Sequence, residues 1–224
     1  MSGALADGAI KHHPSEATLV DHAVRALWSA AGLVVEAHLA HCPDCRGKIG
    51  LIEEVGGLLV DGLPPTPLSP DALERMMVRL DEATGPAALG SSLTAQDPSP
   101  IELPAALQGL LHAARPRWVA PGVRHALLLR EGSPGGTLRL LRVSPGTALP
   151  RHDHRGLELT LVLEGAFADE AGRYGPGDLA EVEEGATHQP VALGPLGCVC
   201  LLATQGRLRF HGPMARMFGI LARV

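Results

Sequence analysis

Two groups of residues in this chain have the types and the spacing to hold metal ions. The first lies in the stretch GTALPRHDHRGLELTLVLEG, residues 146–165. His152 and His154 are one residue apart, so on a β-strand both imidazoles leave from the same face. Glu158 follows in an alternating ELTLVLEG run that brings its carboxylate back over that face. His188 comes after the turn Gly175–Asp178 and just past Gly185. Three imidazoles and one carboxylate suit zinc, iron, manganese or nickel. A lone histidine on a strand is ordinarily a surface or core residue, and His125 and His211 are read that way.

The second group is HLAHCPDC, residues 38–45. His38 and Cys42 stand at i and i+4 and Cys45 at i+7, so on a helix the three share a face. Pro43 is expected to end that helix near Cys42 and to turn Cys-x2-Cys into a tight knuckle. Two thiolates and an imidazole suit zinc, whose tetrahedral site needs one further ligand. The candidates are His12 and His13, ahead of the first helix, and His22 within it; His41 reads as a surface residue. A bare Cys-x2-Cys also occurs as a redox pair in thioredoxin-like folds, but no βαβ pattern surrounds this one. The remaining cysteines, Cys198 and Cys200, sit i, i+2 on one face of a strand, where a strain-free disulfide between them is hard to form. They read as small buried strand residues, with oxidation of one thiol as the alternative.

These groups need elements to position them, and the chain supplies two kinds. The first third is helical. Ser15 is the expected N-cap of a helix carrying Leu19, Val20, Ala23, Val24, Leu27 and Trp28 up to Gly32. A second helix is expected from Leu33 toward His41, and a third after Cys45 with Ile49, Ile52, Val55 and Leu59 on one face. The prolines of DGLPPTPLSP (61–70) break the pattern. A short fourth helix, capped by Ser69 or Asp71, then carries Leu73, Met76, Met77 and Leu80. Residues 85–100 are rich in Gly, Ser, Ala and Pro and read as a linker. Beyond it, runs such as HALLLRE, TLRLLRV, LELTLVLEG and GCVCLLAT alternate with Gly- and Pro-bearing turns, the pattern of an all-β sandwich or barrel. The tail GPMARMFGILARV could close with a short helix.

Composition narrows the function classes. The 224 residues are 46% hydrophobic, enough for packed cores, but only 3% aromatic, so Leu, Val and Ala must fill them. A formal charge of -5 gives no electrostatic reason to bind nucleic acid directly. A zinc-dependent DNA-binding protein is therefore disfavoured, and any role near DNA would run through a protein partner. The polar start MSGALADGAIKHH is not a secretory signal, and no stretch approaches the ~20 apolar residues that span a membrane. A cytoplasmic chain is expected, where clustered cysteines mean metal or redox chemistry.

The stretch from Gly146 to Gly165 resembles the first cupin motif, G-x5-H-x-H-x3-E-x6-G, without a gap. Residues 177–188 are similar to the second motif, with Gly177, Gly185 and His188 in place; Glu183 stands where a proline is usual, and Ala192 where an asparagine often sits. The resemblance implies a double-stranded β-helix (a jelly-roll barrel) with a metal held by His152, His154, Glu158 and His188. Zinc is the first expectation, with iron and manganese as alternatives. The order of a histidine before helix 1, H-x3-C-x2-C, a Pro-rich break, a fourth helix, a linker and a cupin resembles the ChrR-type zinc-binding anti-sigma factors over nearly the whole chain. That family implies zinc at His13, His38, Cys42 and Cys45, with 24 residues between His13 and His38; His12 is the substitute.

The fold class implied is α + β in separate domains: a helical zinc domain at 1–84, the linker at 85–100 and the cupin at 101–224. The function implied is inhibition of an extracytoplasmic-function sigma factor in a 1:1 complex. Leu73, Met76, Met77 and Leu80 would face the sigma factor, and the cupin would sense oxidative stress (singlet oxygen or peroxides). The stripe could equally be an ordinary core face. The zinc would stabilise a domain whose own core is small. The rival reading is a metal-dependent cupin enzyme, a dioxygenase or isomerase, with an accessory zinc domain; Glu164, Glu181 or Tyr174 would be its acid/base groups. The N-terminal zinc motif, which a stand-alone cupin enzyme does not need, favours the regulator.

Overall fold

The computed structural model describes residues 10–83, 103–132, 135–206 and 208–210. The expected linker at 85–100, His211 and the expected closing helix of the tail lie outside these residues.

Five helices are present among the described residues: α1 (Glu16–Ala23), α2 (Ser29–His41), α3 (Pro43–Asp61), α4 (Ala72–Ala83) and α5 (Ala105–Ala113). Ser15 caps α1 as expected, its hydroxyl accepting the N–H of Thr18 at 3.2 Å. The helix does not run to Gly32. It stops at Ala23, where Arg25 turns into the left-handed region (φ 57) and the N–H of Ala26 returns to the carbonyl of Asp21 at 2.7 Å. Gly32 instead lies inside α2, because burial of Ala30, Ala31, Val34, Val35 and Ala37 outweighs the roughly 1 kcal/mol that glycine costs in a helix. The start of α2 is set from far away: the carboxylate of Glu131 accepts the N–H groups of Ser29 and Ala30 at 3.2 and 3.4 Å.

The helix α2 ends at the knuckle as expected, with Cys42 as its C-cap, but Pro43 and Cys45 already belong to α3. Proline at the first helical position loses no hydrogen bond, so the same residue stops one helix and starts the next. Helix α5 was not expected; it lies in a segment read as all-β, and Leu107 fixes it in the core.

Nine strands follow among the described residues. One antiparallel sheet runs β1 (Arg117–Ala120), β2 (Val123–Arg130), β3 (Gly136–Val143), β8 (Val191–Gln205), β5 (Glu158–Ala168), β6 (Arg173–Tyr174), with β7 (Leu179–Val182) also paired to β5. A second pairs β4 (His152–His154) with β9 (Leu208–Phe210). A bridge between His152 and His188 closes the side of the barrel where the ligand group gathers. The four apolar runs seen in the sequence are β2, β3, β5 and β8.

Strand alternation divides two cores. Leu138, Leu140, Leu159, Leu161, Leu163, Leu201 and Ala203 face outward and are covered by the apolar face of α2. Val143, Val162, Phe167, Tyr174, Cys198 and Cys200 face into the barrel. Because both faces are covered, β5 reads as a nearly unbroken apolar run.

The chain falls into two compact units. One takes the helices up to Glu53 together with the whole barrel; the other begins at Glu54 and holds the rest of α3 and all of α4. In the second unit the apolar side chains are open to solvent: Leu73, Met76, Met77 and Leu80 are 74, 55, 51 and 49% exposed. Among the described residues no helix is long and apolar enough to cross a membrane.

Candidate metal centres

His152 and His154 lie on β4 with their side chains buried on the same side, and the intervening Asp153 is only half-buried. Glu158 opens β5, and His188 stands across from His152 in the isolated bridge. The ligand atoms of all four lie within 4.8 Å of one another. Nε2 of His188 is 3.1 Å from Nε2 of both His152 and His154. Metal–nitrogen bonds of about 2.1 Å place neighbouring ligand nitrogens roughly 3.0–3.4 Å apart, so the spacing suits a shared ion. Nδ1 of His154 and Oε2 of Glu158 face each other at 3.2 Å. Both atoms are fully buried, and neither makes a hydrogen bond. Buried polar atoms left in this way are rare, and a cation held by the converging Nε2 atoms would satisfy Oε2 of Glu158.

Electrostatics agree. Burial, with His152 and His188 adding to it, depresses His154 to about 3, leaving it neutral as a ligand must be. Burial pushes Glu158 up to about 7, against the pull of His188 and Thr160, so its carboxylate needs a positive neighbour to ionise fully. Outer partners aim two of the rings. Nδ1 of His152 meets the carbonyl of Pro150 at 2.8 Å, and Nδ1 of His188 meets the carboxylate of Asp169 at 3.0 Å. Each contact engages Nδ1 and leaves Nε2 directed inward.

A cavity of about 80 Å³ adjoins this group inside the barrel, lined by His125, Arg139, Leu141, Phe167, Cys198 and Cys200 among others. His125 is thus a buried residue of the barrel interior, bonded to Nε of Arg117 at 3.2 Å. Cys198 and Cys200 are buried free thiols; their mutual hydrogen bond, reinforced by burial, pushes Cys200 well up. Of the acid/base candidates, Glu181 is engaged elsewhere. Its carboxylate accepts from the hydroxyls of Ser15 and Thr18 and the N–H of Ser15, at 2.8–2.9 Å. Tyr174 stacks on Phe167.

The second group gathers at the α2–α3 knuckle. Nε2 of His38 is 3.3 Å from Sγ of Cys45, and Nδ1 of His13 is 3.3 and 3.4 Å from the sulfurs of Cys42 and Cys45. A tetrahedral zinc with bonds of about 2.3 Å to sulfur and 2.0–2.1 Å to nitrogen separates S and N by roughly 3.5 Å. The donor set fits that ion. Burial and the neighbouring Cys42 push the Cys45 thiol up to about 12, so a thiolate here calls for a cation. His13 completes the group. His12 instead packs its ring on Tyr174 with centroids 4.4 Å apart, and His22 is not among the converging residues.

The supporting residues carry no signal of that role in their spacing. Asp169 and Glu131 follow no motif, and Gly177, a glycine of the second motif, takes a role there that only the folded chain reveals, its carbonyl accepting from Nδ1 of His38 at 2.9 Å.

Residues 110–207 match the family described as the ChrR cupin-like domain. The anti-sigma-E factor ChrR of Cereibacter sphaeroides is 39% identical over 208 residues, covering 93% of this chain and 96% of the relative. A crystal structure of Rhodobacter sphaeroides SigE in complex with the anti-sigma ChrR matches at 38% identity, covering 88% of this chain and all of that one, with a TM-score of 0.72.

Proposed function

The chain belongs to the ChrR family of anti-sigma factors, and from that premise we propose that it binds an extracytoplasmic-function sigma factor in the cytoplasm and holds it inactive in a 1:1 complex. The observation that carries this reading is the likeness, at 38% identity over 88% of the chain, to the ChrR of a SigE–ChrR complex. The apolar stripe of Leu73, Met76, Met77 and Leu80 supports it, because a solvent-open stripe on a short helix suits a partner protein.

In this reading His13, His38, Cys42 and Cys45 hold zinc, a structural ion that keeps the α2–α3 knuckle closed. His152, His154, Glu158 and His188 hold a divalent ion, zinc first, with iron and manganese as alternatives. A divalent ion there would supply a Lewis-acidic centre beside the barrel cavity. The chain's own residues do the rest: Asp169 and the Pro150 carbonyl orient two ligands, and the apolar lining limits water. The barrel serves as receiver of an oxidative signal, with Cys198 and Cys200 as candidate oxidisable thiols beside the same cavity. The domain division proposed is 1–84 for the anti-sigma part and 101–224 for the cupin.

The test is co-expression with the sigma factor encoded beside this chain. Met76→Asp with Leu80→Asp is expected to abolish co-purification while leaving two metal ions per chain. Undiminished co-purification of that variant would count against the stripe, and no complex with the unaltered chain would sink the reading.

A further inference from the structure

We propose that Asp178 is a positioning residue of the N-terminal metal site, and that the β6–β7 turn carrying it couples that site to the one inside the barrel. The inference rests on reading both ligand groups as metal sites.

Asp178 is 5% exposed, and a buried carboxylate must be compensated. Three backbone N–H groups do so. Oδ1 accepts from Lys11 at 2.6 Å and His12 at 2.9 Å, and Oδ2 from Gly175 at 2.7 Å. The N–H of Leu179 donates in turn to the carbonyl of His12 at 3.1 Å. Residues 11 and 12 are thereby pinned to the turn, which fixes where the next residue, His13, presents its ring. The preceding residue, Ile10, is seated over Gly177, where an added Cβ would stand 2.9 Å from Cγ1 of Ile10. The carbonyl of Gly177 also receives Nδ1 of His38. Two ligands that reach the centre from either side of α1 are therefore oriented by two consecutive residues of one barrel turn. Outer partners of this kind are as much a part of a metal site as its ligands.

The same turn is tied to the barrel site. The N–H of Val162 on β5 donates to the carbonyl of Asp178 at 3.1 Å, and the N–H of Gly177 returns to Val162 at 2.9 Å. Strand β5 begins at Glu158, which pairs in register with Val182 of β7. At the other end of β5, the turn into β6 holds Asp169 against His188, and β6 places Tyr174 under the ring of His12. A shift of Glu158 or His188 on metal loading or loss therefore reaches the strap that presents His13. Coupling of this sort is reciprocal.

The experiment uses the full-length chain loaded with cobalt(II). Thiolate ligands give cobalt a near-ultraviolet charge-transfer band that imidazole and carboxylate do not, so the band reads the N-terminal site alone. Its decay is followed after adding excess EDTA. Asp178→Asn, which keeps the volume, is expected to lose the band at least about tenfold faster. Ile10→Ala, which loosens the strap where it packs on the outer face of the barrel and leaves the cluster inside the barrel intact, and Asp169→Ala, which acts from the barrel site, should each accelerate it about threefold or more. Should Asp178→Asn fail to fold, the other two variants decide. Decay unchanged in every folded variant overturns the proposal while leaving the metal reading intact. Absence of the band in the loaded wild-type chain overturns the metal reading, and the proposal with it.

Discussion

The carboxylate of Asp169 lies 3.0 Å from Nδ1 of His188, a residue nineteen positions away in sequence. Its other oxygen is held by the N–H groups of Ala171 and Gly172 at 2.9 and 3.3 Å, so the orienting group is itself fixed. Replacing it by asparagine keeps the shape and removes the charge. Asp169→Asn is expected to weaken metal binding in the barrel about 10- to 100-fold. Competition titration against a chelator of known affinity measures this, and a change below threefold would show that Asp169 does not orient His188.

Glu131 caps α2 from the barrel. Burial opposes its ionisation, but hydrogen bonds from Ser29, Ala30 and Gly136 outweigh burial and hold its carboxyl below the ordinary value. A carboxylate depressed in the folded state stabilises above its unfolded pKa, and that contribution is lost as the pH falls through the folded one. Glu131→Ala is therefore expected to cost about 1 kcal/mol at neutral pH and progressively less below pH 4.5, the ordinary value. Chemical denaturation at pH 7 and pH 4 gives both numbers; an equal cost at the two would rule out the charged cap.

His125 is the opposite case. Burial, with Arg139 and Arg117 adding to it, lowers it from 6.5 to about 4. The folded chain therefore resists a proton that the unfolded chain accepts. Its neutral form stabilises fully above pH 6.5, and that contribution shrinks as the pH falls toward 4. His125→Gln should flatten the fall in melting temperature between pH 7 and pH 5 relative to the wild type. Parallel melting curves for the two proteins would exclude His125 as a source of acid sensitivity.

Metal removal at the knuckle should be local in origin and measurable in stability. Cys42→Ser with Cys45→Ser is expected to lower metal content by one ion per chain and to reduce the melting temperature. An ion at about 1,000 times its dissociation constant stabilises by about 4 kcal/mol. Elemental analysis and calorimetry on the same preparation check both, and a double variant that retains two ions would disprove the assignment of the site.

The ligand groups were legible because their geometry is local. In H-x-H the period of a strand puts both rings on one face, and in H-x3-C-x2-C the period of a helix does the same. An all-β sandwich or barrel was legible from the runs and turns, and the resemblance to the cupin motifs pointed to the barrel. The break after α1 was not, because Arg25 takes a left-handed turn that no glycine announces. Nor was α5, whose apolar residues Leu107, Leu110 and Leu111 resemble the strand-like runs around them.

Composition and spacing alone determined which residues have ligand chemistry, that the chain joins helices to an all-β half, and that Leu73, Met76, Met77 and Leu80 form a stripe. Only the tertiary structure decided that His13 and not His22 joins the knuckle, that Asp169 stands behind His188, and that Glu131 starts a helix 102 residues away. The stripe on α4 is solvent-open, and that too was decided by the fold. The reason is physical. Periodicity fixes which neighbours a side chain has along its own element, whereas hydrogen bonds between distant segments and the burial of a face depend on what the rest of the chain brings against them.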